Sequence, residues 1–267
     1  MILILLSIIK TLYNLIYNIM NKYRIDYPIK ILSYNIYFKA MLGLDDLFLP
    51  KELAQKNVKN IIKTGDYDII GLQEVECINK IFDISVLNKY NYVLGKSGKE
   101  TIATFFKKRY HLIKEKTSEF HEGRPIQLLL LEDNGNKILL VNLHAPHEYN
   151  NFRNYNGKES KSNYNYSLEL INILNYEINK FLKQDINRII LLGDFNEFSQ
   201  NNTKEFNINV NDTTYELKTD NDIIRSCCYP NFLKEGDLIF DSNNSLKLSI
   251  VSTVHPASDH YPVMTII

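Results

Sequence analysis

Ile189-Ile190-Leu191-Leu192-Gly193-Asp194-Phe195-Asn196-Glu197-Phe198 is the stretch whose reading decides the fold. Four consecutive apolar residues make a buried strand, and Gly193 breaks it. Asp194 and Asn196 follow at once. Two apart on extended backbone, they project the same way from the strand end. A carboxylate there can hold a cation or a water, and an amide can hold a phosphate oxygen. Taken alone, Gly-Asp-x-Asn is equally good turn chemistry, so the other strand ends have to decide.

Several of them repeat the pattern. Ile29 to Ile36 reads as a strand with Asn35 near its end, and Asp68 to Glu74 reads as a turn and strand ending in Gln73-Glu74. Ile126–Glu132 and Lys137–Leu143 flank Asp133-Asn134-Gly135-Asn136; Asn-Gly between apolar runs predicts a hairpin. Its second strand ends in Asn142-Leu143-His144. Gly236-Asp237-Leu238-Ile239-Phe240 is a strand opened by a carboxylate, and Asp259-His260 opens a final apolar strand through Ile267. Strands are also expected near Tyr90–Leu94, Thr101–Lys107 and Leu246–Thr253. Helices are expected at Pro50–Thr64 (apolar face Leu53, Val58, Ile61, Ile62), in one short piece at Ile78–Leu87, and at Leu168–Leu182, where Ile171, Leu174, Ile178 and Phe181 recur at helical spacing. Asn150–Tyr166 and Asn201–Thr219 read as polar loops. Mixed elements with at least one hairpin predict two mixed sheets packed face to face with helices outside.

The 267 residues contain no Pro/Gly/Ser-rich linker and read as one domain over 25–267 behind an apolar segment, residues 1–24. Met1–Met20 is mostly apolar, with Ser7, Lys10, Thr11, Asn14 and Asn18 forming one polar stripe on a helix. Three readings stay open: a membrane anchor followed by Lys22, Arg24 and Lys30, a signal peptide, or a helix packed on the domain or a partner. Membrane contact through residues 1–20 ranks first, with the main domain intracellular. Lys+Arg and Asp+Glu are both 31, which argues against a strongly basic protein that coats nucleic acid. Three cysteines, Cys77, Cys227 and Cys228, lack metal-type spacing, and an odd number suits a reducing compartment.

The motif inventory excludes several chemistries. Gly95-Lys96-Ser97 resembles the end of a phosphate-binding P-loop, but Tyr90 stands where that loop needs its first Gly. There is no His-Glu-x-x-His, no Cys-x-x-Cys pair and no Gly-x-Ser-x-Gly elbow. Carboxylates and amides without thiolates are hard oxygen donors that suit Mg²⁺, with Mn²⁺ as a substitute. Together with histidines they suit the attack of water on a phosphate ester.

Asn35 in Ser-Tyr-Asn, Gln73-Glu74, Asn142-Leu143-His144, Gly193-Asp194-Phe195-Asn196 and Ser258-Asp259-His260-Tyr261-Pro262-Val263 occur in that order. The chain thereby resembles the endonuclease/exonuclease/phosphatase superfamily, whose fold is a four-layered α/β sandwich. The resemblance implies a Mg²⁺-dependent phosphodiesterase. Glu74 would be the main metal ligand, helped by Asn35 and Asp259. Asp194 would orient or deprotonate water, Asn196 would bind a phosphate oxygen, and His144 and His260 would flank the phosphate. Asp237 matches the carboxylate that orients the final histidine, and Glu100 is the looser match for a partner of His144. Arg124 in Gly-Arg-Pro resembles a phosphate-contacting arginine of toxin-type nuclease members. Tyr37 stands where some nuclease members carry an acidic residue. Nucleic acid is the first substrate expectation. A sphingomyelinase-like or phosphoinositide-type lipid substrate is second, and a non-catalytic binding module on the same fold is third.

Overall fold

A computed structural model describes residues 28–45, 49–76, 78–98, 100–120, 123–147, 166–196, 198, 204–228, 231, 234–243, 246–252 and 257–267. The N-terminal segment 1–24 and residues 150–165 of the Asn/Tyr/Lys-rich stretch lie outside the described residues. The elements run β1 (Lys30–Asn35), α1 (Phe38–Leu42), α2 (Lys51–Gly65), β2 (Ile69–Gln73), α3 (Ile78–Ile81), α4 (Ile84–Leu87), β3 (Tyr90–Ser97), β4 (Glu100–Lys107), β5 (His111–Glu119), β6 (Pro125–Asp133) and β7 (Asn136–His144). They continue with α5 (Tyr166–Phe181), β8 (Arg188–Asp194), β9 (Glu205–Val210), β10 (Thr213–Lys218), β11 (Asp237–Asp241), β12 (Ser249–Ile250) and β13 (Val263–Ile266).

Two mixed sheets form, as the sequence predicts. One has six strands in the order β12-β13-β1-β2-β4-β3, the other seven in the order β5-β6-β7-β8-β11-β10-β9. Only β1–β2 and β7–β8 pair in parallel among these; the other neighbours are antiparallel. Ile31, Ile69, Phe106, Leu128 and Leu192 belong to the core that the two sheets share, and Leu170, Leu174, Ile178 and Phe181 of α5 pack into the same cluster. A second core, with Leu32, Tyr34, Val58, Ile62, Ile70 and Phe105, lies between the six-stranded sheet and α1–α4. Helix, sheet, sheet and helix make the four layers.

Strand direction explains why the polar ends meet. The C-terminal ends of β1, β2, β7 and β8 lie at one end of the sandwich. β11 and β13 run antiparallel to these strands, so they start there. Asn35 is the register partner of Gln73, and Asp194 is the partner of both His144 and Asp237.

Some expectations need correction. Residues 201–219, read as a polar loop, hold the β9–β10 hairpin. Phe206, Ile208 and Val210 alternate inward between exposed Glu205, Asn207 and Asn209, a period-two pattern hidden by an Asn-rich outer face. The helix expected at Ile78–Leu87 is two short helices, because Asp83 caps a new start by accepting from the Ser85 and Val86 N–H groups. Leu53 points outward at 39% exposure, and Ala54 takes the buried position. Among the described residues of Leu246–Thr253, only Ser249–Ile250 is strand. β5 escaped the sequence reading: a register shift between Leu112 and Lys114 breaks its alternation. The Asn134-Gly135 turn has φ 52° and 80°, the conformation that type I′ hairpins need.

The outer edge of the seven-stranded sheet is closed by side chains. Asn175 of α5 accepts the Asn209 N–H at 2.9 Å and donates to the Asn207 carbonyl at 3.5 Å. Asn179, one turn on, donates to the Asn209 carbonyl and accepts the Asn211 N–H. Two helix amides thus occupy hydrogen-bonding groups at Asn207, Asn209 and Asn211 that a further strand would use.

Candidate active site

A row of alternating carboxylates and imidazoles crosses the sandwich at its polar end. Glu100 Oε2 lies 3.0 Å from His144 Nδ1, and His144 Nε2 lies 3.3 Å from Asp194 Oδ2. Asp194 Oδ2 is also 3.6 Å from His260 Nε2, and His260 Nδ1 is 2.7 Å from Asp237 Oδ2. Each histidine therefore has a carboxylate behind Nδ1, which fixes the tautomer and turns Nε2 towards Asp194. Asp194, Asp237, His144 and His260 are all buried.

Asn35 ties the row to the metal-type carboxylates. Its Nδ2 donates to Asp194 Oδ2 at 3.0 Å and to Glu74 Oε1 at 3.3 Å. Its Oδ1 accepts the Tyr37 N–H at 3.0 Å. Asn35, expected among the metal ligands, thus turns a donor to Glu74, and a cation needs an oxygen. Asp259 is half-buried, 4.0 Å from His260 Nε2. Asn196 donates its backbone N–H to Asp194 Oδ1 and its Nδ2 to the Ala145 carbonyl. Arg124 pairs with Glu100 at 3.1 Å and lies against the His144 ring. The row and its neighbours thus include every site residue expected from sequence.

Local structure holds these groups in place. Tyr37, Glu74 and Asn196 all adopt left-handed backbone, at φ 52°, 57° and 49°. Such conformations cost energy outside Gly and concentrate at functional sites. At Gly193 (φ 151°) an added Cβ would meet the Leu143 carbonyl oxygen at 2.0 Å, so only glycine lets β8 pass β7 at this point. Phe195 points away from Asp194 and Asn196 into a ring cluster, 5.3 Å from Phe240 and 5.6 Å from Phe198.

Two serines were missed from sequence. Ser226 Oγ accepts the N–H groups of Gly236 and Asp237. Ser258 Oγ donates to the Asn35 carbonyl and accepts the His260 N–H. Ser258 sits beside Asp259-His260 and was findable; Ser226 has no local signal. Cys227 bridges the backbone of both Lys234 and His260.

Burial and charge compete throughout the row. Burial alone lowers the affinity of both imidazoles for protons, but the carboxylates win. Asp194 and Glu100 raise His144 to about 9, and Asp237 and Asp194 raise His260 to about 10. Burial pushes Asp194 up, yet the two imidazoliums and the Asn35 donor hold it far below the usual carboxylate range. Asp237 and Asp259 go the other way: burial, reinforced by the Asp194 charge, raises both.

These residues fit a divalent cation. Asp237 Oδ1 is buried with no hydrogen-bond partner. Among the described residues, ligand atoms of Asp194, Asp237 and His260 lie within 4.8 Å of one another. Glu74 and Asp259 add hard oxygens at the more open side, and the pressure that raises Asp237 and Asp259 is what a positive ion relieves.

Known proteins share this fold. Uncharacterized protein L684 of Acanthamoeba polyphaga mimivirus is 27% identical over 267 residues, covering 89% of this chain and 50% of that protein. The chain therefore spans about half the length of that curated relative. The solved structure of truncated Caenorhabditis elegans TDP2 superposes with a TM-score of 0.61 at 18% identity, covering 90% of this chain and 97% of that one. ANGEL2, a 2′,3′-cyclic phosphatase solved with adenosine-2′,3′-vanadate, gives 0.64 at 18% identity, covering 90% and 95%. At such identities the structural likeness speaks for the fold. The sequence pattern of the Endonuclease/Exonuclease/phosphatase family matches residues 32–260, from β1 to the last histidine of the row. The chain belongs to the endonuclease/exonuclease/phosphatase family, whose members are phosphoric ester hydrolases.

Proposed function

We propose that this chain is a Mg²⁺-dependent phosphodiesterase that cleaves nucleic acid by direct attack of water. The observation that carries the reading is the position of Asp194, whose Oδ2 is flanked by Nε2 of both histidines. A buried carboxylate there accepts a hydrogen bond from a water and aims its lone pair at phosphorus. Its depressed proton affinity suits it to orient the water and to relay the proton that the water loses to the imidazole that has given its own to the departing oxygen. The imidazoliums stabilise charge on the non-bridging oxygens and supply a proton to the departing oxygen. Glu74 and Asp259 would hold the cation. An ion bound there would neutralise phosphate charge and acidify water. Asn35 keeps Glu74 and Asp194 at fixed separation, and Arg124 places a second cation beside His144. ANGEL2, with its bound adenosine compound, favours a nucleotide-containing substrate.

The test is a side-by-side assay of the full chain on single-stranded DNA, duplex DNA, RNA, sphingomyelin vesicles and phosphoinositides. Cleavage of nucleic acid with Mg²⁺, stopped by chelator and restored by the metal, is expected. Turnover that persists in chelator removes the cation from the proposal. Hydrolysis of lipid alone transfers the substrate to that class.

A further inference from the structure

The groups of the proposed site come from both sheets. β1, β2 and β4 bring Asn35, Glu74 and Glu100, while β7, β8 and β11 bring His144, Asp194 and Asp237. Their spacing depends on how one sheet sits over the other. Most of the layer between them is Leu, Ile and Phe, and apolar packing is non-directional.

Directly beneath the site that layer is polar. Gln73 Nε2 donates to Asn142 Oδ1 at 2.8 Å. Asn142 Nδ2 donates to Thr104 Oγ1 at 3.1 Å and to the Ala103 carbonyl at 3.2 Å. Thr104 Oγ1 donates to Gln127 Oε1 at 2.5 Å, and Gln127 Nε2 donates to the Val93 carbonyl at 3.2 Å. Gln73, Thr104 and Val93 belong to the six-stranded sheet; Asn142 and Gln127 are register partners in the seven-stranded one. The chain therefore crosses between sheets at each link, and every link donates in the same sense. All four polar side chains are fully buried. Such groups are costly unless paired, and aligned hydrogen bonds polarise and strengthen one another.

Two glycines make the room. A Cβ on Gly71 would meet Leu192 Cδ1 at 1.7 Å and Asn142 at 3.1 Å, and one on Gly95 would meet Gln127 Nε2 at 3.0 Å. The chain also touches the site at its near end: Gln73 precedes Glu74, and Asn142 lies two residues before His144 on the same strand face.

We infer that Asn142, with Gln73, Thr104 and Gln127, is a positioning clamp that locks the two sheets in register and so sets the separation of Glu74 and Asn35 from His144 and Asp194. The inference rests on the proposed phosphodiesterase site, whose groups it positions without touching substrate.

The experiment compares Asn142→Leu, Thr104→Val and Thr104→Ser with the unaltered chain. Thr104→Val is nearly isosteric and removes the one hydroxyl that makes two of the links, to Asn142 and to Gln127; Thr104→Ser keeps both. Kinetics on the best phosphodiester, thermal melting and crystal structures are read together. A displacement near 1 Å costs about 10²-fold in rate. Asn142→Leu should therefore lower kcat by about that factor with KM within about twofold. Thr104→Val should lower kcat as well, and Thr104→Ser should restore it. The crystal structure of Asn142→Leu should show the 3.0 Å Asn35–Asp194 contact lengthened. A folded Asn142→Leu or Thr104→Val with unchanged kcat and unchanged contact overturns the clamp. If Asn142→Leu does not fold, Thr104→Val and Thr104→Ser decide alone. If the unaltered chain cleaves no phosphodiester, the functional proposal fails, and the Asn35–Asp194 contact in the variant crystals judges the clamp by itself.

Discussion

Oδ2 of Asp194 lies 3.0 Å from Nδ2 of Asn35, although 159 residues and the space between two sheets separate them. That contact joins the two halves of the site. With an imidazole on either side, Asp194 is the group whose removal should be felt most.

Asp194→Asn keeps the shape and the neighbours while removing the charge. Turnover is expected to fall by about 10²–10⁴-fold, with circular dichroism and melting cooperativity retained. Near-normal rates in a folded variant would remove Asp194 from the chemistry.

His260 rises to about 10 and His144 to about 9 in the folded protein, against an ordinary value of 6.5. A raised proton affinity contributes stability that is complete below about 6.5 and is lost as pH climbs through the folded values. In chelator, the melting temperature should therefore fall steadily between pH 7 and pH 10. Asp237→Asn takes the carboxylate from behind His260 and should move that fall to lower pH. A flat profile across this window contradicts the charge assignment.

Gly193→Ala forces a Cβ to within 2.0 Å of the Leu143 carbonyl oxygen. The backbones of β7 and β8 must part, and the expected loss is at least about 2 kcal/mol by urea denaturation. Gly135→Ala is the control. Its Cβ meets nothing within 4 Å, so only the left-handed backbone resists, at about 1–2 kcal/mol.

Asn175→Ala with Asn179→Ala exposes the ladder groups of β9. Sedimentation should show stronger concentration-dependent self-association than the unaltered chain gives, because a bare strand edge is a template for pairing. A double variant that associates no more than the unaltered chain at high concentration would mean the edge is protected by other means.

The sequence made the layers and the polar strand ends legible for one reason. Each of β1, β2, β7 and β8 is a run of apolar residues closed by a polar one, and such runs need burial on both faces. Phe206, Ile208 and Val210 carry the same kind of message more faintly, since their strand is wetted on one side by asparagine. What the sequence withheld is orientation. Nothing in Ser-Tyr-Asn says that the Asn35 oxygen is taken by Tyr37 and only its nitrogen faces Glu74. Likewise Gln73, Thr104, Gln127 and Asn142 are scattered over four strands, and only three-dimensional register makes them one chain.

The pairing of β1 with β13 has a consequence in time. Lys30 lies opposite Ile266, and the backbones of Ile29 and Ile267 exchange hydrogen bonds. At about 5–20 residues per second of synthesis, the first strand waits roughly 10–50 s for its neighbour to be made. His260, which arrives just before that neighbour, is the last group of the row to be translated. Until that residue is made, the chain therefore holds an open sheet and an unfinished row, and a hydrolase whose proposed target is nucleic acid stays silent beside the message that encodes it.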